Sequence, residues 1–269
     1  MSSAARPVGE HLREWRQRRR MSQLHLACEA VISTRHLSFV ETGRATPSRE
    51  MILHLAEHLR IPARERNVLL VAAGYAPIFA ERALDDPALR AARKAIDLVL
   101  EAQKPYPAFA LDRAWNVVAS NAALPELYVD VAPALLKPPV NVLRLSLHPE
   151  GLAPRIENLA EWRAHLLARL KQQIELTADP VLIELQREAA AYPSPGDAGS
   201  RGAETPPEVV APLRIRIAAG ALSFFTTTTV FGSPVDVTLS ELAIESFFAA
   251  DASTARLVQA LSASVRRSG

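Results

Sequence analysis

The residues best equipped for chemistry lie between Ser22 and Glu41, in the run SQLHLACEAVISTRHLSFVE. Taking Leu37 as the inward direction of a helix, Val40 lies about 60° from it, while Arg35, Ser38, Phe39 and Thr42 lie about 100–200° away. One face can pack and the opposite face can read. An arginine can meet guanine O6 and N7 with two parallel hydrogen bonds, and serine or threonine hydroxyls pair with several base edges. Ser33 and Thr34, at the amino end of this helix, join Arg35, Ser38, Phe39 and Thr42 as candidate DNA contacts. Gln23, opening the preceding helix, and Arg44, in the following loop, are placed to hold phosphates. The small Ala27 suits a point where two helices cross, so the spacing is that of a helix-turn-helix. A helical bundle that binds another protein is the competing reading.

Charge supports nucleic acid. The chain has 269 residues and a net charge of only +2, but residues 1–76 hold twelve arginines and no lysine against seven glutamates, a net of +5, leaving −3 for the rest. A basic folded segment points to an anionic partner. Composition, 49% hydrophobic and 22% charged, is that of a globular chain long enough for two cores. No apolar run reads as a signal peptide or a spanning helix, so no membrane role and a cytoplasmic location are expected. One cysteine, Cys28, forbids an internal disulfide or a cysteine metal cage and reads as a small core residue.

Those side chains need elements to position them. Val8, Leu12 and Trp15 stripe a first helix; Ser22, Ser33 and Ser48 sit where the next three should begin; Pro62 precedes a fifth that Gly74 ends. The expectation is an all-α five-helix helix-turn-helix domain over residues 1–76. An Ala-rich, charged segment, Phe79–Ala102, reads as a connector helix within a linker spanning 77–102. From 103 to 269 period-2 patterning appears. Tyr106–Leu111 and Trp115–Ser120 form a hairpin around Asp112. Helical patterns follow at Ala122–Asp130, Val140–His148, Pro154–Thr177 and Pro180–Ala190. A proline-rich loop spans Ala191–Pro212, and strand-like runs occupy Leu213–Ile217, Ala221–Phe231 and Leu242–Phe248, although LAIESFF could be a buried helix. This order implies an α+β domain with an antiparallel sheet.

The first unit resembles the lambda Cro/repressor-like helix-turn-helix family. With its continuation, STRHLSFVETGRATPSREMILHLAEHLRIPARERNVLLVAAGYAP, then PYPAFALDRAWNVVASNAA, NVLRLSLHPEGLAPRIENLAEW and LSFFTTTTVFGSPVDVT through ELAIESFFAAD, the chain resembles the MmyB-like bacterial transcription regulators from about Val8 to Asp251. The resemblance implies a DNA-binding regulator whose second domain is PAS-like and takes a small molecule associated with fatty acid. It departs at Val31, where the family's turn usually has glycine. Phe39 replaces a commonly polar or basic residue, and the family's Asn-Trp pair is here Asn158-Leu159, with Trp162 one turn later.

An apolar ligand needs a cavity with few polar groups. Phe109, Val117, Leu124, Leu127, Val142, Leu145, Trp162, Leu166, Leu170, Phe225 and Phe231 could line one, though each is by default an ordinary core residue. For a carboxylate the candidates are Arg144, His148, Asn158 and the run Thr226–Thr229, of which alternation sends two to each face; Thr227 is the choice, and threonine is also simply a good strand former. Catalysis is not expected. Residues 103–269 contain only His148 and His165 and no G-x-S-x-G, H-E-x-x-H or phosphate-binding glycine loop. No cofactor is expected beyond a bound fatty acid. The anticipated partners are double-stranded DNA, the apolar ligand and a second copy of the chain, because one recognition helix touches too few base pairs; in the alternative reading the second domain only dimerises.

Overall fold

The computed structural model describes residues 6–123, 125–193, 211–231 and 236–268. They form two compact units, one built on residues up to Arg82 and the other on most of those that follow.

The first unit is five helices: α1 (Val8–Arg18), α2 (Gln23–Glu29), α3 (Thr34–Glu41), α4 (Arg49–His58) and α5 (Ala63–Ala72). The expected serines start three of them, each hydroxyl accepting a backbone N–H: Ser22 from His25 at 3.0 Å, Ser33 from His36 at 3.1 Å and Ser48 from Met51 at 3.2 Å. Such caps satisfy donors that the first turn leaves unpaired. Leu12, Trp15, Leu26, Leu37, Val40, Ile52 and Leu55 fill one core. Cys28 is a correction. It is exposed, because Leu26, Ala27 and Ala30 take the inward face of α2.

Val31, in the turn between α2 and α3, has φ +53° and is 89% exposed. A β-branched residue in the left-handed region is strained, by about 1–2 kcal/mol, and no buried contact offsets that here. Replacing Val31 with glycine should therefore stabilise this unit by about 1 kcal/mol after glycine's extra unfolded-state entropy is subtracted. Hydrogen exchange of the α2 and α3 amides checks this; slower protection loss in the parent than in the variant would contradict it.

The bridging helix is shorter than expected. A helix α6 occupies Arg90–Ala102, preceded by a 3-10 turn at Pro87–Leu89. Upstream, the Asn67 side chain accepts from the N–H groups of Ile78 and Phe79 and donates to the Phe79 carbonyl, taking the groups a helix would use, and Pro87 bars continuation from Asp86. Nor does α6 stand apart from the second unit. Its Ile96 and Leu100 are buried with Ala108, Ala110, Leu242 and Ile244 of that unit.

The second unit carries a five-stranded antiparallel sheet in the order β2-β1-β5-β4-β3, from strands β1 (Ala108–Leu111), β2 (Val117–Ser120), β3 (Leu213–Ile217), β4 (Gly220–Val230) and β5 (Ala243–Ala249). LAIESFF is thus a strand, and the α+β expectation holds. Helices α7 (Val142–Leu147), α8 (Leu159–Thr177), α9 (Pro180–Ala191), a single turn α10 (Val237–Ser240) and α11 (Ala252–Ser268) complete it; α10 and α11 have no counterpart in the sequence reading. Two expected helices shrink. Among the described residues of Ala122–Asp130 there is a 3-10 turn, Pro125–Tyr128, and no longer helix, and α8 begins at Leu159 rather than Pro154, because Ile156 bridges to Ile215 and the Glu157 N–H donates to the Arg214 carbonyl. Most of the proline-rich loop, residues 194–210, lies outside the described residues. Among the described residues no helix is long and apolar enough to cross a membrane.

The sheet's two faces differ in use. Ala108, Ala110 and Ile244 face α6, whereas Phe109, Leu111, Glu245 and Phe247 share a cavity with residues of α7 and α8.

Candidate nucleic-acid interface and ligand cavity

Helix α3 is held from beneath by one polar network. Arg16 of α1 donates from Nε to Glu41 Oε1 at 2.6 Å and from Nη2 to Glu41 Oε2 at 2.9 Å, and its Nη1 reaches the Met21 carbonyl at 2.8 Å. Gln23 Nε2 donates to the same Glu41 Oε2 at 2.8 Å. The Glu41 side chain is 1% exposed and that of Arg16 10%, so the pair is desolvated and bidentate, the geometry in which a guanidinium and a carboxylate attract most strongly. That contact raises the Arg16 pKa above its ordinary value. Gln23 is thus an anchored side chain at the opening of α2, a structural tie the sequence did not reveal.

On the outer side of α3, Arg35, Thr42 and Arg44 are exposed and Thr34, Ser38 and Phe39 half-buried. The guanidinium of Arg35 lies 5.3 Å and that of Arg44 5.9 Å from the Phe39 ring centroid. Phe39 therefore orients two cations rather than filling the core. The Thr42 hydroxyl donates to the Ser38 carbonyl at 2.7 Å, and the Ser33 hydroxyl is taken by its cap.

In the second unit the cavity measures about 40 Å³ and is bounded by Phe109 and Leu111 of β1, Trp115, Leu127, Tyr128, Val142, Leu145, Ser146, Leu152, Trp162, Leu166, Arg169, Leu213, Thr226, Glu245 and Phe247. Phe247 packs on Phe109 and Phe224, with centroids 5.6 and 5.8 Å away. Of the residues expected to line a cavity, Phe109, Leu127, Val142, Leu145, Trp162 and Leu166 do so. Leu170 is fully buried elsewhere in the core. Val117 pairs with Leu111 across the hairpin without joining the wall. Phe225 stacks on Phe248 at 5.2 Å on the opposite face, Phe231 packs with the α6 cluster, and Leu124 lies outside the described residues.

None of the expected carboxylate anchors Arg144, His148, Asn158 and Thr227 lines this cavity. Arg144 makes a bidentate pair with Glu188, both bonds 2.8 Å, which raises the arginine pKa and lowers the glutamate's. His148 accepts the Glu150 N–H at 3.0 Å and packs edge-on against Tyr192. Asn158 staples the start of α8 to the sheet, donating to the Pro212 carbonyl at 2.7 Å and accepting the Arg214 N–H at 3.0 Å. Thr227 is exposed; Phe224, fully buried, sets the inward parity of β4 and turns Thr226 and Thr228 toward the cavity instead.

The charged groups that line the cavity are Arg169 and Glu245, paired with each other, with Thr228 donating to Glu245 Oε1 at 2.9 Å. A usable signal existed for both. Trp162, Leu166 and Arg169 repeat at i, i+4, i+7 on α8, and Glu245 interrupts an otherwise apolar strand at the parity of Phe247.

Residues 92–261 match the MmyB-like transcription regulator ligand binding domain, and residues 7–69 match a helix-turn-helix domain. The chain belongs to the MmyB-like transcription regulators. It is therefore a DNA-binding transcription regulator with a ligand-binding second domain, and neither family is an enzyme family. No curated protein matches the chain. The MmyB-like match begins at residue 92, inside α6, which agrees with the packing of that helix against the sheet.

Proposed function

We propose that this MmyB-like regulator is a cytoplasmic one-component switch. Its helix-turn-helix reads double-stranded DNA in the major groove as a homodimer. A PAS-like second domain modulates it by binding a small apolar molecule, a fatty acid or similar acyl compound, in the cavity between sheet and α8. The observation that carries the DNA half is the outer face of α3: Arg35, Ser38 and Thr42 are presented outward from a helix whose opposite side, Leu37 and Val40, is fully buried. In this reading Arg35 addresses guanine, with Thr34, Ser38 and Thr42 on neighbouring edges. Phe39 holds the Arg35 and Arg44 guanidiniums and offers its ring edge to a thymine methyl. Arg44 and the anchored Gln23 hold phosphates, and Ser33 fixes the start of the helix. The apolar lining of the cavity supports the ligand half.

Arg35→Ala should cost about 1–3 kcal/mol on the cognate operator and relax preference at one base pair, while Arg44→Ala should weaken all sequences alike and reduce the salt slope by about one. Footprinting and salt-dependent titration on cognate and random duplexes separate the two. Equal losses on both duplexes for Arg35→Ala would remove it from the reading set, and absence of any sequence preference in the parent would favour a protein-binding module. Dimeric recognition predicts a palindromic operator with half-sites about 34 Å apart.

A further inference from the structure

The cavity between the sheet and α8 has a larger neighbour. An open groove of about 800 Å³ is lined by residues 129–130, 154–157 and 216–219 and by Leu261 of α11, and its volume falls within the ~300–1,000 Å³ of small-molecule sites. Three stretches of chain pass from one lining to the other. Tyr128 borders the cavity and Val129 the groove, Leu152 the cavity and Pro154 the groove, Leu213 the cavity and Arg216 the groove. Steps of one to three residues span no more than about 11 Å of chain, so a thin partition separates the two spaces.

One side chain fastens that partition. Arg155, closing the 3-10 turn Ala153–Arg155, donates from Nη2 to the Leu127 carbonyl. Leu127 lines the cavity and Arg155 the groove, so this bond sets the guanidinium itself at the boundary. Of the three arginines that line cavity or groove, Arg155 is the one without a carboxylate partner among the described residues: Glu245 holds Arg169, and Glu157 takes Arg216 through Nε at 3.1 Å and Nη2 at 2.7 Å. A guanidinium has five donors, so one carbonyl leaves Arg155 enough for a bidentate carboxylate. The remaining charged side chain of the groove, Asp130, is exposed, where water and salt screen it.

We propose that the groove is the entrance to the cavity and seats the ligand's head: a fatty acid lodges its tail between the sheet and α8 and keeps its ionised carboxylate in the groove, paired with Arg155. This rests on the proposed function and gives it a carboxylate anchor. Inside the cavity the head would meet an arginine that Glu245 already neutralises, leaving one of two buried anions unpaired. In the open groove it retains part of its hydration and meets a guanidinium with donors to spare.

The test uses the full chain and two probes with the same tail, decanoate and decanol, titrated at about pH 8, where decanoate is ionised. Arg155→Gln should weaken decanoate about tenfold or more and decanol by less than about twofold. Nuclear Overhauser contacts in the unmodified protein give a second reading that does not depend on the variant's stability. The C2 methylene of bound decanoate should contact the methyls of Val129 or Ile217, and its terminal methyl those of Leu145 or Leu166. A C2 methylene against Leu145 or Leu166, or equal losses of decanoate and decanol in Arg155→Gln, would overturn the head assignment while leaving the cavity as the ligand site. A terminal methyl that touched groove methyls alone would overturn the cavity as well, and so would failure of both probes to bind.

Discussion

Glu41→Ala is expected to lower the stability of the helix-turn-helix unit by about 3–5 kcal/mol, because it leaves the Arg16 guanidinium buried without its counter-ion and Gln23 without its acceptor. Hydrogen exchange of α1 and α3 amides should then accelerate by about two to four decades, and operator affinity should fall with it. The sign of the companion experiment is informative. Replacing both Arg16 and Glu41 with apolar residues of similar volume should recover most of that loss, since two desolvated charges are removed together. Recovery would mean that the network serves geometry, tying α1, the opening of α2 and the end of α3, more than net stability. A single variant that exchanged like the parent would refute the buried pair as an important tie.

Gly9→Ala should be of comparable severity for an unrelated reason. A Cβ at Gly9 would stand 2.2 Å from the Val40 carbonyl oxygen and 2.9 Å from that of Glu41, both backbone atoms of α3. Alanine normally helps a helix by about 1 kcal/mol relative to glycine, but no flexible side chain is available to yield here. Overpacking of this kind costs about 3 kcal/mol at the upper end of the usual range. The strain is relieved only by moving α1 away from α3, so sequence preference should decline along with the melting temperature. A variant with unchanged melting and unchanged operator affinity would show that the two helices separate freely.

How much of this was legible depended on the range of the interaction. Local signals were clear: the caps at Ser22, Ser33 and Ser48 depend on residues three apart, and strand β3 was bounded correctly from its strand-like composition. Interactions across the chain were opaque. The Arg16–Glu41 pair spans 25 residues and the Arg144–Glu188 pair 44, so Arg144 looked like an available anion site when its partner lay on α9. Cavity and core could not be separated by hydrophobicity either, since Leu166 and Leu170 occupy the same helix four residues apart and only the first borders the cavity. The threonine run failed for a related reason: four identical residues carry no parity of their own, and the buried Phe224 decides it. Gly9 was invisible as a contact point because a helix start tolerates glycine without needing it.

The size of the cavity has a kinetic meaning. At about 40 Å³ it is far smaller than the ~300–1,000 Å³ of ordinary small-molecule sites, so on the proposed function an acyl-sized guest would have to wait for Phe109, Phe247 and the α8 side chains to part. Entry is then governed by the frequency of that opening, with association slower than the ~10⁵–10⁷ M⁻¹s⁻¹ of preformed surfaces. Departure must wait for the same event. A guest once enclosed would be retained through many encounters of the protein with DNA, so occupancy would report the recent history of the ligand rather than its momentary concentration.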